Sequence, residues 1–391
     1  MKILVISLLR LGDIILHVPA IKSLKRKYPD ARIDVYIHKQ FYHVTPLISD
    51  VKNWILFDRE GLQQKLGQPE WPLQRAYWDL SAQIHQINSS NYDLVINLTH
   101  TTLSGWLMSA IQCAKKEGLC LGDRPSIGNR WLEYLNRETN LELHFADLFS
   151  LAAGNCLERI QLNETTLGQQ EASAWLNENK STTLVQVFTS DSKKNWQQFE
   201  KMLVQFSKLR PDENIVLLGA PNEEKHLQTV QKNLSTASIH THVAICSLPA
   251  ALSLIRKSQL LITGDTAIKH LASATDTPVL ELALGSSKIF ETGAFHSQAI
   301  VIEANVACAP CIHSVPCHYP IHVCSSYLVP QIIARIAYAI LKNDNSLISE
   351  AARDAQELMK IYRTNFDDNG TWTLNLISGG KNELRSRKLL E

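Results

Sequence analysis

Two carboxylates occupy similar positions in the two halves of this 391-residue chain. Near the start, the apolar run at 3–7 leads into Gly12-Asp13, and much later the apolar run at 260–263 leads into a second Gly-Asp pair, which contains Asp265. Each run has the composition of a buried strand, and an amphipathic helical pattern follows each acidic turn. Because open α/β sheets bind ligands where strands end and helices begin, both carboxylates are candidates for chemistry.

The helix predicted after Asp265 carries polar residues on one face. Thr266, Lys269 and His270 have the i, i+3, i+4 spacing that brings side chains together on a helix. Asp265 is suited to cap this helix, and the outward N–H groups of Thr266 and Ala267 would then offer a site for phosphate. The pattern favours a diphosphate site, and a simple helix cap with chance surface charges is the alternative.

Two further predicted strands of the second half also end in polar residues. Hydroxyl and ammonium groups follow one of them, where they would meet a phosphate, and acids follow the other, where they would meet a ribose diol. These residues are Thr189, Ser190 and Lys194 after the first strand, and Gly219, Glu223 and Glu224 after the second. Each loop taken singly would be a solvated loop, but three polar strand ends in one half favour a nucleotide site.

Four of the eight cysteines lie in one short polar segment. Cys308 and Cys311 form a C-x2-C pair, and Cys317 and Cys324 follow. This spacing is typical of a tetrahedral thiolate site for Zn or Fe. Reduced cysteines that merely pack are the alternative, and the four scattered cysteines are expected to pack in this way.

Strands that alternate with helices in both halves predict an α/β protein with parallel sheets. The sequence contains no P-loop and no strand-coupled G-x-G-x-x-G, which disfavours a kinase-type ATPase or an ordinary dehydrogenase. The stretch at 331–362 is expected to be one long helical region. The main expected strands are 3–7, 33–37, 54–57, 93–98, 184–189, 215–218, 260–263 and 279–284.

The overall charge excludes one class of partner. Lys and Arg together number 39 against 38 for Asp and Glu, a net charge of +1, so no bulk positive field argues for nucleic acid. Basic clusters at 22–27 and 381–388 leave a weak membrane-surface contact open. Arg10 and Asp13 interrupt the first apolar run, and no run approaches a membrane-spanning length, so we expect a cytoplasmic protein with reduced cysteines.

The order and spacing of these motifs resemble glycosyltransferase family 9, the bacterial heptosyltransferases that transfer heptose from ADP-heptose. The resemblance extends from the first strand to about residue 330. Its residues are Leu11-Gly12-Asp13 with Pro19-Ala20, Lys194-Asn195-Trp196, Gly219, and Asp265-Thr266 with His270-Leu271-Ala272. It implies a GT-B architecture, in which two Rossmann-like domains with parallel sheets face each other across a cleft, the acceptor binding in the N-terminal domain and the donor in the C-terminal one.

The resemblance also implies inverting transfer without a catalytic metal. Such a displacement needs a carboxylate that takes the proton of the acceptor hydroxyl and fixed positive charge on the leaving diphosphate. By resemblance, the general base would be Asp13, the diphosphate ligands Lys194 and Thr189, the other donor ligands Asp265, Thr266 and His270, and the ribose ligand Glu223 or Glu224.

Two positions depart from the family pattern. Ala267 stands where the family commonly has Gly, and Asn195 stands where it has a basic residue. Both border the donor, which leaves the sugar and the nucleotide base open. Some family members with a similar cysteine cluster modify autotransporter proteins with heptose and hold iron there, so the acceptor is either a lipopolysaccharide core or a protein.

We therefore predict an acceptor-binding domain at 1–165, a nucleotide-sugar-binding domain at 166–345 with the Cys-rich loop 308–324, and a C-terminal helix and tail at 346–391 that packs back across the domains. The alternatives are another GT-B nucleotide-sugar transferase or an epimerase, or a metal-dependent binding or assembly protein with a vestigial sugar site. Peripheral contact with the inner membrane and homo-oligomerisation stay open.

Overall fold

The computed structural model describes residues 1–121, 143–177, 179–319 and 322–377. These residues pack as two compact units, one formed by 1–121 with 145–163 and the other by 143–144 with 164–377. The first unit ends at Asn163, close to the boundary predicted at 165. The basic cluster of the tail, at 381–388, lies outside the described residues.

A parallel sheet forms the centre of the first unit. Its described strands are β1 (Lys2–Ser7), β2 (Arg32–His38), β3 (Asn53–Phe57), β4 (Leu94–Asn97) and β5 (Lys115–Gly118), in the order β3-β2-β1-β4-β5. The helices described in this unit are α1 (Leu11–Leu16), α2 (Val18–Lys27), α3 (Arg59–Leu66), α4 (Pro72–Ser89), α5 (Thr102–Ala110) and α6 (Phe145–Gly154). The central strand β1 is buried from Ile3 to Ile6, as expected of a parallel strand covered on both faces.

The predicted first helix is divided into α1 and α2 at His17. Pro19 lies in the first turn of α2, where backbone N–H groups have no partner within the helix, so its missing N–H costs no hydrogen bond. A new helix therefore starts at Val18.

The second unit contains a mixed sheet in the order β13-β12-β11-β10-β9-β6-β7-β8. Its strands are β6 (Thr182–Gln186), β7 (Asn214–Gly219), β8 (Thr241–Ile245), β9 (Leu260–Thr263), β10 (Val279–Ala283), β11 (Ile300–Ala304), β12 (Met359–Phe366) and β13 (Trp372–Leu376). The helices described in it are α7 (Thr166–Ala172), α8 (Phe199–Leu209), α9 (Glu224–Thr236), α10 (Leu248–Lys257), α11 (Ala267–Ala272), α12 (Ile289–Thr292), α13 (Val323–Tyr327), α14 (Pro330–Leu341) and α15 (Asn345–Ala355). The strands from β6 to β11 pair in parallel, as predicted, whereas β12 and β13 pair antiparallel.

The region at 331–362 is not one helical stretch. Helix α14 ends before Asn343, which adopts a left-handed backbone with φ 52°, and the carboxylate of Asp344 then caps α15 by accepting two backbone N–H groups. Beyond α15, the chain forms β12 from Met359, which pairs antiparallel with β11. The described part of the predicted C-terminal helix and tail thus consists of α15 followed by two strands of the second sheet.

Gly154 allows α6 to approach α2, the helix that follows α1. A Cβ at Gly154 would lie 2.1 Å from Ser23 Oγ and 2.3 Å from Ser23 O. We therefore expect Gly154→Ala to lower the free energy of unfolding by about 1–3 kcal/mol, because α6 must shift. Urea denaturation measures the change. Gly67→Ala is the matched control, since a Cβ there lies 3.5 Å from its nearest neighbour, Gln64 O, and equal losses in the two variants would contradict this account.

Candidate functional site

Asp265 lies between two lysines at the carboxyl end of β9. Its Oδ2 accepts a hydrogen bond from Lys194 Nζ at 2.5 Å, and its Oδ1 accepts one from Lys269 Nζ at 2.6 Å. The side chains of Lys194 and Asp265 are only 10% and 11% exposed. The structure thus brings together a carboxylate and two ammonium groups from three different positions of the predicted donor half.

The two lysines decide the charge state of Asp265. Burial alone would raise its pKa, but the positive charges of Lys269 and Lys194 outweigh burial and hold the pKa of Asp265 well below its usual value. The carboxylate is therefore ionised at neutral pH. A fixed negative charge beside two fixed positive charges can orient sugar hydroxyls and phosphate oxygens.

Lys269 does not lie on the exposed face that the helical spacing predicted. Its side chain is fully buried, and Nζ also donates to Glu281 Oε1 on β10 at 2.7 Å. His270 is also buried, and burial, followed by the charge of Lys269, lowers the pKa of its imidazole well below the usual value. Of the predicted polar face, only Thr266 keeps partial exposure.

Thr266, rather than Asp265, occupies the N-cap position of α11. Its hydroxyl and that of Thr263 both donate to Oε1 of Gln186, which is buried at the end of β6. The two carboxylate oxygens of Asp265 accept from Lys194 and Lys269 instead. Ala267 begins the helix, and Gln186 is a site residue that the sequence did not reveal.

The loop after β6 reaches this cluster through Thr189 and Lys194. The backbone N and the hydroxyl of Thr189 both donate to Asn195 Oδ1, at 2.7 and 2.9 Å, which holds the loop closed. Gly264 permits close approach to this loop, since a Cβ there would lie 3.1 Å from Thr189 Cγ2. Ser190 is exposed at the tip of the same loop. Asn195, which departs from the family pattern, thus has a structural role in this chain.

Lys193 is a second residue of this loop that the sequence did not single out. Its Nζ donates to three backbone carbonyl oxygens, those of Ile312, His313 and Val315, at 3.2, 2.8 and 2.8 Å. All three ammonium hydrogens are therefore engaged by the segment that contains Cys308, Cys311 and Cys317. The loop that presents Lys194 is tied directly to the cysteine segment.

The predicted ribose-binding acids lie at the carboxyl end of β7. Glu223 Oε2 accepts the backbone N–H of Ala220 at 2.8 Å, and a Cβ at Gly219 would lie 2.4 Å from Leu227 Cδ1. Glu224 is exposed and accepts from Gln228 at 3.1 Å. A side chain at 219 would displace the side chain of Leu227 on α9, and the acids lie at the edge where ligands bind in open sheets.

In the first unit, Asp13 lies in α1, and its Oδ2 accepts the backbone N–H of Arg10 at 3.1 Å. Gly12 precedes it and is partly exposed. Beside this helix, Ser7 Oγ and His17 Nδ1 are 2.7 Å apart and buried. Burial, then the neighbouring His100, lowers the pKa of His17 to about 3, so this imidazole is neutral at pH 7. The buried serine–histidine pair carries no sequence signal, because its members are ten residues apart in an apolar context.

The four clustered cysteines differ in exposure. Cys308 is exposed, Cys311 and Cys317 are half-buried, and Cys324 is buried. Burial raises the pKa of Cys311, and the thiols of Cys324, Cys308 and Cys317 raise it further, so the four sulfur atoms interact electrostatically. Within the described ranges, no group of three or more His, Cys, Asp or Glu side chains is arranged to hold a metal ion.

The fold matches solved glycosyltransferases. The structure of ADP-heptose lipopolysaccharide heptosyltransferase II from Escherichia coli aligns with a TM-score of 0.66 and 16% sequence identity, over 88% of this chain and all of that one. The E. coli heptosyltransferase WaaC, solved with ADP, aligns with a TM-score of 0.55 and 18% identity, over 76% of this chain and 91% of that one. These alignments define a GT-B fold of two α/β units with parallel sheets, as predicted.

Sequence comparison identifies the family. The model of glycosyltransferase family 9 (heptosyltransferase) matches residues 81–321, which is more than half of the chain. Lipopolysaccharide heptosyltransferase 3 from E. coli is 22% identical over 302 residues, which cover 71% of this chain and 82% of that protein. The chain therefore belongs to glycosyltransferase family 9, and it is a glycosyltransferase. No helix in the described part of the chain is long and apolar enough to cross a membrane.

The depressed pKa of Asp265 predicts a specific pH dependence of stability. A carboxyl group whose pKa is lower in the folded than in the unfolded state stabilises the fold above the unfolded pKa, about 3.9, and loses that contribution as the pH falls below it. The difference in unfolding free energy between the wild type and Asp265→Asn should therefore shrink between pH 6 and pH 3 in urea titrations. The exposed Asp368→Asn is the control. A difference for Asp265→Asn that is constant with pH would contradict the ion pairing described above.

Proposed function

We propose that this protein transfers a heptose from ADP-heptose to a hydroxyl group of an acceptor, with inversion at the anomeric carbon and with Asp13 as the general base. The observation that carries the proposal is the Lys194–Asp265–Lys269 cluster at the carboxyl end of β9, in a chain of the heptosyltransferase family. Relatives described as lipopolysaccharide heptosyltransferases and a neighbour solved with ADP support this donor.

The donor side of the reaction requires stabilisation of the leaving diphosphate. Lys194 is the cation suited to this role, because it lies at a strand end and keeps partial exposure while Lys269 is buried. In the described structure Lys194 is held by Asp265, and a bound diphosphate would share its ammonium hydrogens. Preorganised positive charge in a partly buried site needs little rearrangement as charge develops on the leaving group. We expect no catalytic metal in this step.

The acceptor side requires a base for the hydroxyl proton. A carboxylate has about four acceptor positions on its two oxygens, so the hydrogen bond from Arg10 N–H to Asp13 is compatible with a second one from an acceptor hydroxyl. That backbone bond also orients the side chain. The neutral imidazole of His17, one turn further on, adds no competing positive charge to Asp13.

The lipopolysaccharide core is the acceptor that we propose, because the matched relatives are described as lipopolysaccharide heptosyltransferases. A glycolipid acceptor would bring the enzyme into peripheral contact with the inner membrane from the cytoplasm. A protein acceptor, such as an autotransporter, is the second candidate, and its basis is the cysteine segment at 308–324. Transfer assays with both acceptor classes distinguish the two.

We also propose that Cys308, Cys311, Cys317 and Cys324 bind one structural Fe or Zn ion. Four thiols suit either metal, and the influence of the other three thiols on the pKa of Cys311 supports a site that all four share. Because the described residues are not arranged as a finished ligand set, the segment would have to close around the ion. The ion would fix the conformation of the cysteine segment. Because Lys193 donates to three carbonyls of that segment, the loop that carries Lys194 would be fixed as well.

Replacing Asp13 separates transfer from donor binding. We expect Asp13→Asn to lower kcat about 10²–10⁴-fold, because the amide cannot accept the hydroxyl proton. Titration calorimetry should give the same Kd for ADP-heptose as in the wild type, since Asp13 belongs to the first unit. The same calorimetry with GDP- and UDP-sugars tests the nucleotide.

Asp30→Asn, an exposed change in the turn after α2, is the matched control and should keep wild-type turnover. If Asp13→Asn also kept wild-type turnover, Asp13 would be only a helix-capping residue. If the wild type bound GDP- or UDP-sugars more tightly than ADP-heptose, the proposed donor would be wrong.

Elemental analysis tests the metal proposal. The purified protein should contain about one Fe or Zn per chain, and Cys311→Ser should lower both this content and the melting temperature. Because Lys193 ties the segment to the loop of Lys194, Cys311→Ser should also weaken binding of ADP-heptose. Cys246→Ser, a partly buried cysteine after β8, is the control. Metal-free wild-type protein with the melting temperature of Cys311→Ser would overturn the proposal.

A further inference from the structure

Lys269 and Glu281 form a buried ion pair that the proposed transfer does not use directly. Both side chains are essentially inaccessible, at 0% and 1% exposure, so neither can touch a donor molecule. Lys269 Nζ bridges Asp265 Oδ1 at 2.6 Å and Glu281 Oε1 at 2.7 Å. The pair therefore stands directly behind the one carboxylate that faces Lys194.

Glu281 is itself fixed by backbone on its second oxygen. The N–H of Ala294 donates to Glu281 Oε2 at 2.7 Å, and the carbonyl of Ala294 accepts from Trp372 Nε1 on β13 at 2.9 Å. Gly293, the preceding residue, is bonded through its carbonyl to His144 Nε2 at 2.9 Å. Because each link is buried, the carboxylate of Glu281 is held in one orientation, and Lys269 is held with it.

Stability alone does not account for this arrangement. Two charges taken out of water lose hydration, and a buried ion pair can often be replaced by uncharged residues of similar size without loss of stability. What the pair does supply is a fixed orientation of the Asp265 carboxylate. With Oδ1 engaged by Lys269, the Asp265 carboxylate cannot rotate, and Oδ2 must point to Lys194.

We propose that Lys269 and Glu281 are positioning residues for the donor, which hold Asp265 in the orientation that it and Lys194 need to bind the nucleotide sugar. The chain of contacts runs from β13 through Ala294, Glu281 and Lys269 to Asp265. This inference rests on the proposed function for the identity of the donor. It adds that donor affinity depends on a buried pair that does not contact the donor.

The test is a double-mutant cycle measured by calorimetry with ADP-heptose. Lys269→Met with Glu281→Gln removes both charges together, so that neither partner is left unpaired, and the new amide oxygen at position 281 still accepts the N–H of Ala294. Arg210→Met with Glu213→Gln is the matched control. In that ion pair Glu213 is fully buried and Arg210 is 27% exposed, and the pair lies at the amino end of β7, at the opposite edge of the sheet.

The Lys269/Glu281 variant should bind ADP-heptose about tenfold more weakly, and the control variant should bind it as the wild type does. In an Asp265→Asn background, the same double change should weaken binding less than about twofold further, because its effect passes through Asp265. Glu281→Gln alone, which keeps the lysine, is measured in parallel and should show a smaller loss, so that the test survives if the double variant does not fold.

Wild-type affinity in a folded Lys269/Glu281 variant, or a full tenfold loss in the Asp265→Asn background, would overturn the inference while leaving the proposed function intact. A wild-type protein that does not bind ADP-heptose would instead contradict the proposed function. In that case the cycle is repeated with the nucleotide sugar that calorimetry identifies, and the same two outcomes decide it.

Discussion

The pairing of Asp265 with two lysines is the interaction on which the second unit's site depends. A buried carboxylate is costly unless it is paired, so the ends of β9 and β10 and the loop after β6 must all converge on one point. Gly264 makes that convergence sterically feasible because it has no side chain to displace Thr189. The ion pairs of the cluster thus fix the positions of these backbone segments, and they thereby also fix the orientation of the Lys194 side chain.

A second constraint joins the cysteine segment to the same loop. In chain order the cysteines follow β11, the last parallel strand of the second sheet. In the fold, the segment nevertheless contacts the loop after β6, because Lys193 donates to three of its backbone carbonyls. It is also held by Gly285, which has a left-handed backbone with φ 59° and whose carbonyl accepts the N–H of Cys311 at 2.8 Å. Any change that loosens the cysteine segment therefore acts on the residue next to Lys194.

Local pattern predicted the family and eight of the described strands, but it missed β5, β8, β11, β12 and β13 and could not predict the long-range partners. Strands such as β1 and β9 are apolar runs bounded by turn residues, and their position follows from composition alone. Lys269 was expected at the surface because a lysine is seldom buried without a partner, and its partner, Glu281, lies on the next strand, where sequence spacing gives no sign of it. The helical prediction at 331–362 is correct for α14 and α15 but wrong at the break around Asn343 and from Met359 onward, where β12 begins.

The sequence around Asp13 allows two interpretations, a helix-capping residue and a general base, and the two do not exclude each other. As a turn residue before an amphipathic helix it should cap, and its Oδ2 does accept the N–H of Arg10. The carboxylate of Asp265 has a different environment, because each of its oxygens accepts from a lysine ammonium group. The two Gly-Asp pairs, which look alike in sequence, therefore differ in the contacts described: the carboxylate of Asp13 accepts the backbone N–H of Arg10, whereas that of Asp265 accepts two lysine ammonium groups that keep it ionised.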